Sequence, residues 1–386
     1  MFPARRYASA MNSRRGWTRR EWLWTAAAGL SLPHLALAAE VSTKPAKSKL
    51  GMPGLHPGRV IAVSHPGCIL DGKFQADPIR HMMDEGMMEL TDADDPTGAW
   101  KQFFERGDVV GIKVTPVGGP LVMSCAEVLQ RIVAGLESAG VRRKDIVVYD
   151  RYRDQFLTMG FDKWLPEGVR WSFAAQSYDD VQQAIEGYDA DHYMDMAATL
   201  PGQDASSLTA RRSYAARFIT REVNKLINLP ALKDHQSAGV TLALKNLSHG
   251  LVNNVSRSHS SSTLNVCGAF IPAVVALPII RDKTVLHILD GIKGLYHGGP
   301  TARPQFVWEH RTLYFATDPV ALDRIGWKEI DKKRVASGLK PIAEAKPDEF
   351  STFLNRQPEH VEIAATLGLG TWEERRIDLR LRSLRG

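Results

Sequence analysis

The densest chemistry in the sequence lies between Leu226 and Gly250, which reads LINLPALKDHQSAGVTLALKNLSHG. A short apolar run stops at Pro230, a residue without a ladder donor, and Lys233, Asp234 and His235 follow it. A second apolar run then carries Lys245, Asn246 and His249. Lysine ammonium groups at such positions clamp a phosphate or carboxylate, and a histidine beside them is a ready acid/base group near neutral pH. Ligands of open α/β sheets sit outside the carboxyl ends of the strands, and this segment has the pattern of a loop at such an end.

Other candidates flank further apolar runs. Lys113 closes a strand expected over 108–114, Asp150 follows one over 145–149, and Asp290 follows one over 284–289. The expected assignment gives Lys113, Lys233, Lys245 and Asn246 to an anionic cofactor or small molecule. His235 and Asp290 are the candidate catalytic pair, with His235 as acid/base, and Asp150 and Asp290 are candidate ligands for a hard cation. Six of the twelve histidines lie between 235 and 310, which draws the group towards a site. Taken singly, each of these residues has a plainer use. Lys245 can snorkel from a helix, and Asp318 ahead of Pro319 reads as a helix N-cap. The serine-rich stretch 253–265, with His259, reads as a solvated loop rather than an anion cradle. Met82, Met83, Met87 and Met88 stand at helical core spacing, which favours core over a copper(I) site.

The elements that must position these residues alternate strand and helix. Asp77-Pro78 and Asp95-Pro96 open helices, and Ser124 with Glu127 forms a capping box ahead of a helix to Ala139. That helix joins strands 108–114 and 145–149 in a β-α-β unit, which predicts an α/β fold with a mostly parallel sheet flanked by helices. Residues 151–216 are less periodic and are expected as a lobe or insertion covering the ligand edge. Residues 268–280 read as a buried helix, 311–316 as a strand, and 376–382 as a half-buried edge strand.

Composition narrows the function class. Residues 1–38 hold six arginines and one acid, Glu21; taking these from the chain's 49 basic and 43 acidic residues leaves a net charge of +1. The high pI belongs to that segment, so a nucleic-acid partner is set aside. Thr18-Arg19-Arg20-Glu21-Trp22-Leu23, the apolar stretch to Leu37 and the small residues Ala36 and Ala38 resemble a twin-arginine signal. The expected organisation is a signal at 1–38, a linker at 39–58 and an α/β domain at 59–386, with export to the periplasm. The start is open between Met1 and Met11. No later run is apolar enough to span a membrane. Cys68, Cys125 and Cys267 stand far apart, which excludes an iron–sulfur cluster ligated by this chain alone. Dinucleotide, Walker and nucleophile-elbow motifs are absent, and the cofactor is left unknown.

Between Asp108 and Leu369 the chain resembles a bacterial and archaeal family known as domain of unknown function 362. The resemblance is carried by GIKV at Gly111–Val114, Asp150, INLPALKDH at Ile227–His235 and GVTLALKNL at Gly239–Leu247. DGIKG at Asp290–Gly294, Gly299-Pro300 and DPVALD at Asp318–Asp323 complete it. It implies an α/β fold, and several relatives carry ferredoxin-type modules or export signals. This chain departs from the pattern in two places. Lys113-Val114-Thr115 stands where Lys-x-Asn is general, and the ferredoxin cysteines are missing, so an electron-transfer role would need a separate redox partner. Two functions are expected: an exported protein that binds, and in one version acts on, an anionic small molecule or metal; or a non-catalytic envelope factor that delivers a cofactor to a redox partner.

Overall fold

The computed structural model describes residues 48–385; the expected signal and the start of the expected linker lie outside them. A mixed sheet organises the chain. Its strands, in spatial order, are Asp378–Ser383, Arg59–Ser64, Val307–Ala316, Thr284–Leu295, Lys225–Asn228, Val110–Lys113, Ile146–Tyr149 and Arg170–Ser172. Val307–Ala316 runs against both its neighbours, and the other pairs along this path are parallel. Central strands such as Val110–Lys113 and Ile146–Tyr149 are buried at every position, which is why they read as unbroken apolar runs rather than as alternation. The α/β fold with a mostly parallel sheet flanked by helices is therefore the architecture.

Helices cover both faces. Ala76–Thr91 and Ala126–Ser138 pack on one, in a core that includes Met82, Met83 and Met87, so these methionines fill space as expected. Leu242–Leu251, Cys267–Val275, Pro319–Ala336 and His360–Thr366 pack on the other. No helix among the described residues is long and apolar enough to cross a membrane.

Several local expectations are corrected. Ser124 does not cap the helix after it; its hydroxyl accepts from Thr115 N at 2.9 Å and donates to Leu229 O at 2.7 Å, tying two strand ends together. The expected linker 39–58 is not loose where described, since Met52 is fully buried and donates its N–H to Arg281 O. Residues 151–216 are not wholly an insertion, because Arg170–Ser172 extends the sheet; the hairpin of Tyr188–Asp195 and Arg212–Ala216 stands outside it. The expected helix over 268–280 breaks into Cys267–Val275 and Pro278–Lys283. The edge strand Asp378–Ser383 is mostly exposed, with Leu381 at 66%; Arg380 and Arg382 hold it to Glu89 by ion pairs.

Candidate functional site

Parallel register sets the ends of three strands level. Lys113 lies opposite Tyr149 on one side and Asn228 on the other, so Asp150 and Leu229 emerge beside it. The helix Leu242–Leu251 crosses this edge, and its positions 245, 246 and 249 share one face at helical spacing. Its first amides are not capped from within; Ala243 N and Leu244 N donate to the buried carboxylate of Asp323, at 2.7 and 2.9 Å, from the Pro319–Ala336 helix. Asp318 is the N-cap of that second helix, accepting from Val320 N and Ala321 N. Between these elements and part of the 151–216 segment lies a cavity of about 600 Å³.

Lys113, Lys233, His235, Lys245, Asn246 and Asp150 all line it. They divide into two groups. Lys113 donates to Asp150 Oδ1 at 2.7 Å, Val114 O at 2.6 Å and Asn246 Oδ1 at 3.2 Å, which uses all three of its protons. Asn246 in turn accepts from Thr115 Oγ1 and donates to Asn228 Oδ1. The expected anion contact of Lys113 and Asn246 and the expected cation contact of Asp150 are thus spent on one another in a buried ion pair.

The second group is open. Lys245 is 7% exposed, and its ammonium has no hydrogen-bond or ion-pair partner among the described residues. Burial, with Arg151 nearby, brings its pKa down to about 8. Lys233 donates one proton to Val117 O. Burial and the charges of Lys245 and Lys113 bring its pKa down to about 7. His235 Nδ1 accepts backbone N–H from Ser237 and Ala238. Burial and the neighbouring charge of Lys245 hold its pKa well below the usual value, so the ring is neutral and carries its proton on Nε2. His235 therefore offers the cavity a hydrogen-bond donor; its expected part as a base is not open to it in this tautomer. The buried hydroxyl of Thr241, also without a partner among the described residues, completes this wall.

Asp290 is elsewhere. The strand expected to end at Leu289 continues to Leu295, so alternation turns Asp290 to the same face as Ile288 and Ile292. There it borders a separate cavity of about 310 Å³ and accepts from Cys125 N at 2.9 Å and Ile292 N at 3.1 Å. Burial raises its pKa to about 6. The expected pairing of Asp290 with His235, and its sharing of a cation with Asp150, are overturned: the two aspartates face different cavities.

Arg151 and His259, neither among the expected site residues, also sit on the main cavity. Arg151 is 4% exposed and is held by neutral groups, Gln182 Oε1, His249 O and the Tyr188 hydroxyl. The 253–265 stretch is not a solvated loop: Asn254 and Ser258 are fully buried, and His259 faces the cavity beside His249. Its asparagines gave the available signal, because Asn254 satisfies three carbonyls of the 151–216 segment, those of Thr209, Ala210 and Arg212.

The model of the domain of unknown function 362 matches residues 122–328, more than half of the chain. The chain belongs to that family. The matched span contains Asp150, Lys233, His235, Lys245, Asn246 and Asp290, while Lys113 lies just outside it. A solved structure from Thermotoga maritima is similar at 12% identity and a TM-score of 0.40, over 69% of this chain. This chain covers 60% of that protein's length. No curated protein matches the chain.

Proposed function

We propose that the main cavity binds a small anion, a molecule presenting a carboxylate or phosphate, with Lys245 and Lys233 as its charged contacts. The carrying observation is the Lys245 ammonium, buried at the cavity wall and without a partner among the described residues. A buried charge is costly unless something pairs with it, and the Asp150 carboxylate on the same cavity already belongs to Lys113. Arg151 adds a third cation with no carboxylate partner among the described residues. Thr241 and His235 Nε2–H supply neutral donors for orientation, and the volume suits a metabolite-sized ligand. Isothermal titration of the purified chain with inorganic phosphate and with small dicarboxylates tests this reading. Saturable binding that is lost in Lys245→Met supports it; equal binding by both proteins removes it.

The tautomer of His235 favours a binding or delivery protein over one that abstracts a proton from its ligand. A carrier of this kind releases its ligand unchanged to a redox partner, so mass spectrometry of the ligand before and after release separates it from a catalyst. Export by the twin-arginine route, with a periplasmic location, belongs to the same proposal and rests on Arg19 and Arg20 ahead of the apolar stretch. Replacing both with lysine should keep the protein in the cytoplasm; fractionation showing equal export would remove that part.

A further inference from the structure

His249, His259 and Cys267 offer one ligand atom each, and the three atoms lie within 4.8 Å of one another. His249 comes from the last turn of Leu242–Leu251, Cys267 opens Cys267–Val275, and His259 lies on the segment between. The two imidazoles meet with centroids 5.4 Å apart. We infer that these three side chains form a site for a borderline-soft divalent cation of the zinc class, with a fourth position open to the cavity.

The donor set decides the class of ion. Imidazole and thiolate suit zinc-type ions, whereas magnesium and calcium require oxygen ligands. Three protein ligands with one open position is the arrangement of zinc sites that admit a further ligand. Bonds of about 2.0–2.3 Å around a tetrahedral ion bring donors to roughly 3.3–3.7 Å apart, so the rings and the thiol must close by about 1 Å. A hub for that movement exists. The Ser258 hydroxyl lies 3.1 Å from His249 Nε2, 2.8 Å from His259 Nδ1 and 3.9 Å from Cys267 Sγ, while donating to Val255 O. It gathers the three donors around one point, and the metal would take them over from it. Burial raises the pKa of the Cys267 thiol and the Lys245 charge opposes this in part, so the thiol proton would leave on metal binding itself.

The charge balance links this site to its surroundings. A divalent ion with one thiolate stays cationic beside Lys245, so an anion in the fourth position would offset both. An anion in the fourth position rests on the anion-binding reading; the three-ligand set does not.

The test is titration of the full-length chain, stripped with chelator, with Co²⁺ as a spectroscopic stand-in and with Zn²⁺, each with and without inorganic phosphate. The expected result is one ion per chain, a thiolate-to-cobalt charge-transfer band, and tighter binding with phosphate present. Cys267→Ser should abolish the band and weaken binding at least about a hundredfold, beyond the usual loss for an outer-shell partner. His259→Gln should weaken binding while keeping the band, and circular dichroism checks that both variants fold. Absence of stoichiometric binding in the folded wild-type chain, or binding unchanged in Cys267→Ser, overturns the site. Phosphate binding to the stripped chain reports the anion reading separately, so either can fail alone.

Discussion

The two sides of the sheet treat buried charge in opposite ways. Behind it, Asp290 is buried, but each of its oxygens accepts a backbone N–H, from Cys125 and Ile292, and the carboxylate holds the start of a helix in place. In front of it, Lys245 is buried to a similar degree, and its ammonium holds none of the described residues. A charge with its hydrogen bonds complete is part of the fold, whereas one without them is stability given up for something absent from the chain itself. The same contrast recurs within the front cavity, where Lys113 is saturated by Asp150, Val114 and Asn246 and Lys245 is not. Lysines that look alike in sequence therefore belong to different categories, and partner geometry separates them.

Breaking the saturated pair should have the largest effect. Lys113→Met leaves Asp150 buried and uncompensated, and chemical denaturation should show a loss of about 3–5 kcal/mol. A loss well under that would mean that the pair carries little, and that Lys113 is free for a ligand after all. Asp290→Ala comes next: it strands two buried backbone donors, at about 1–3 kcal/mol for each left unsatisfied. Its phosphate affinity should stay at the wild-type value, because the cavity it borders is not the cationic one. A tenfold fall in affinity with the fold intact would erase the distinction between the two sides.

Lys245→Met sharpens the contrast from the other direction. Phosphate affinity should fall about ten- to a hundredfold, the range for one charge-assisted hydrogen bond of roughly 1.5–3 kcal/mol. Its stability should be equal to or above the wild type, since the ammonium bonds to no partner among the described residues. The sign of the pH dependence follows from the depressed pKa. Between about 8, the value when folded, and the ordinary 10.5, the unfolded chain binds more protons, so wild-type stability rises with pH through that window. The variant lacks the part of this rise that belongs to Lys245, while Lys233, held at about 7, keeps its own; the variant's advantage should be greatest below the window and gone above it. Denaturation midpoints across the range check this. Phosphate binding runs the other way, weakening as pH rises through about 7 and then about 8, where Lys233 and Lys245 lose their charge. The smallest effect belongs to His235→Gln: the side-chain amide replaces the Nε2–H donor, so phosphate affinity should change by no more than about threefold.

The sequence by itself determined the α/β class, the strands at Val110–Lys113 and Ile146–Tyr149, the helix caps at Asp95 and Asp318, and the segment that holds Lys233, His235 and Lys245. These follow from local rules: apolar runs, proline at a first turn, and a polar residue able to bond its neighbours' amides. What only the tertiary structure decided is where the charges end up. Asp290 left the expected site because its strand ran six residues past Leu289, and alternation assigned its face. Ser124, in a good local capping pattern, went instead to Thr115 and Leu229, two strand ends that no local rule brings together. The 253–265 stretch is polar and serine-rich, which reads as solvated, yet Asn254 and Ser258 are buried because distant backbone carbonyls and the histidines needed their donors and acceptors. A single sequence shows a residue's capacity to bond; which partner uses it up depends on register and packing, and those are set by segments far apart in the chain, as Cys125 and Asp290 are at 165 positions.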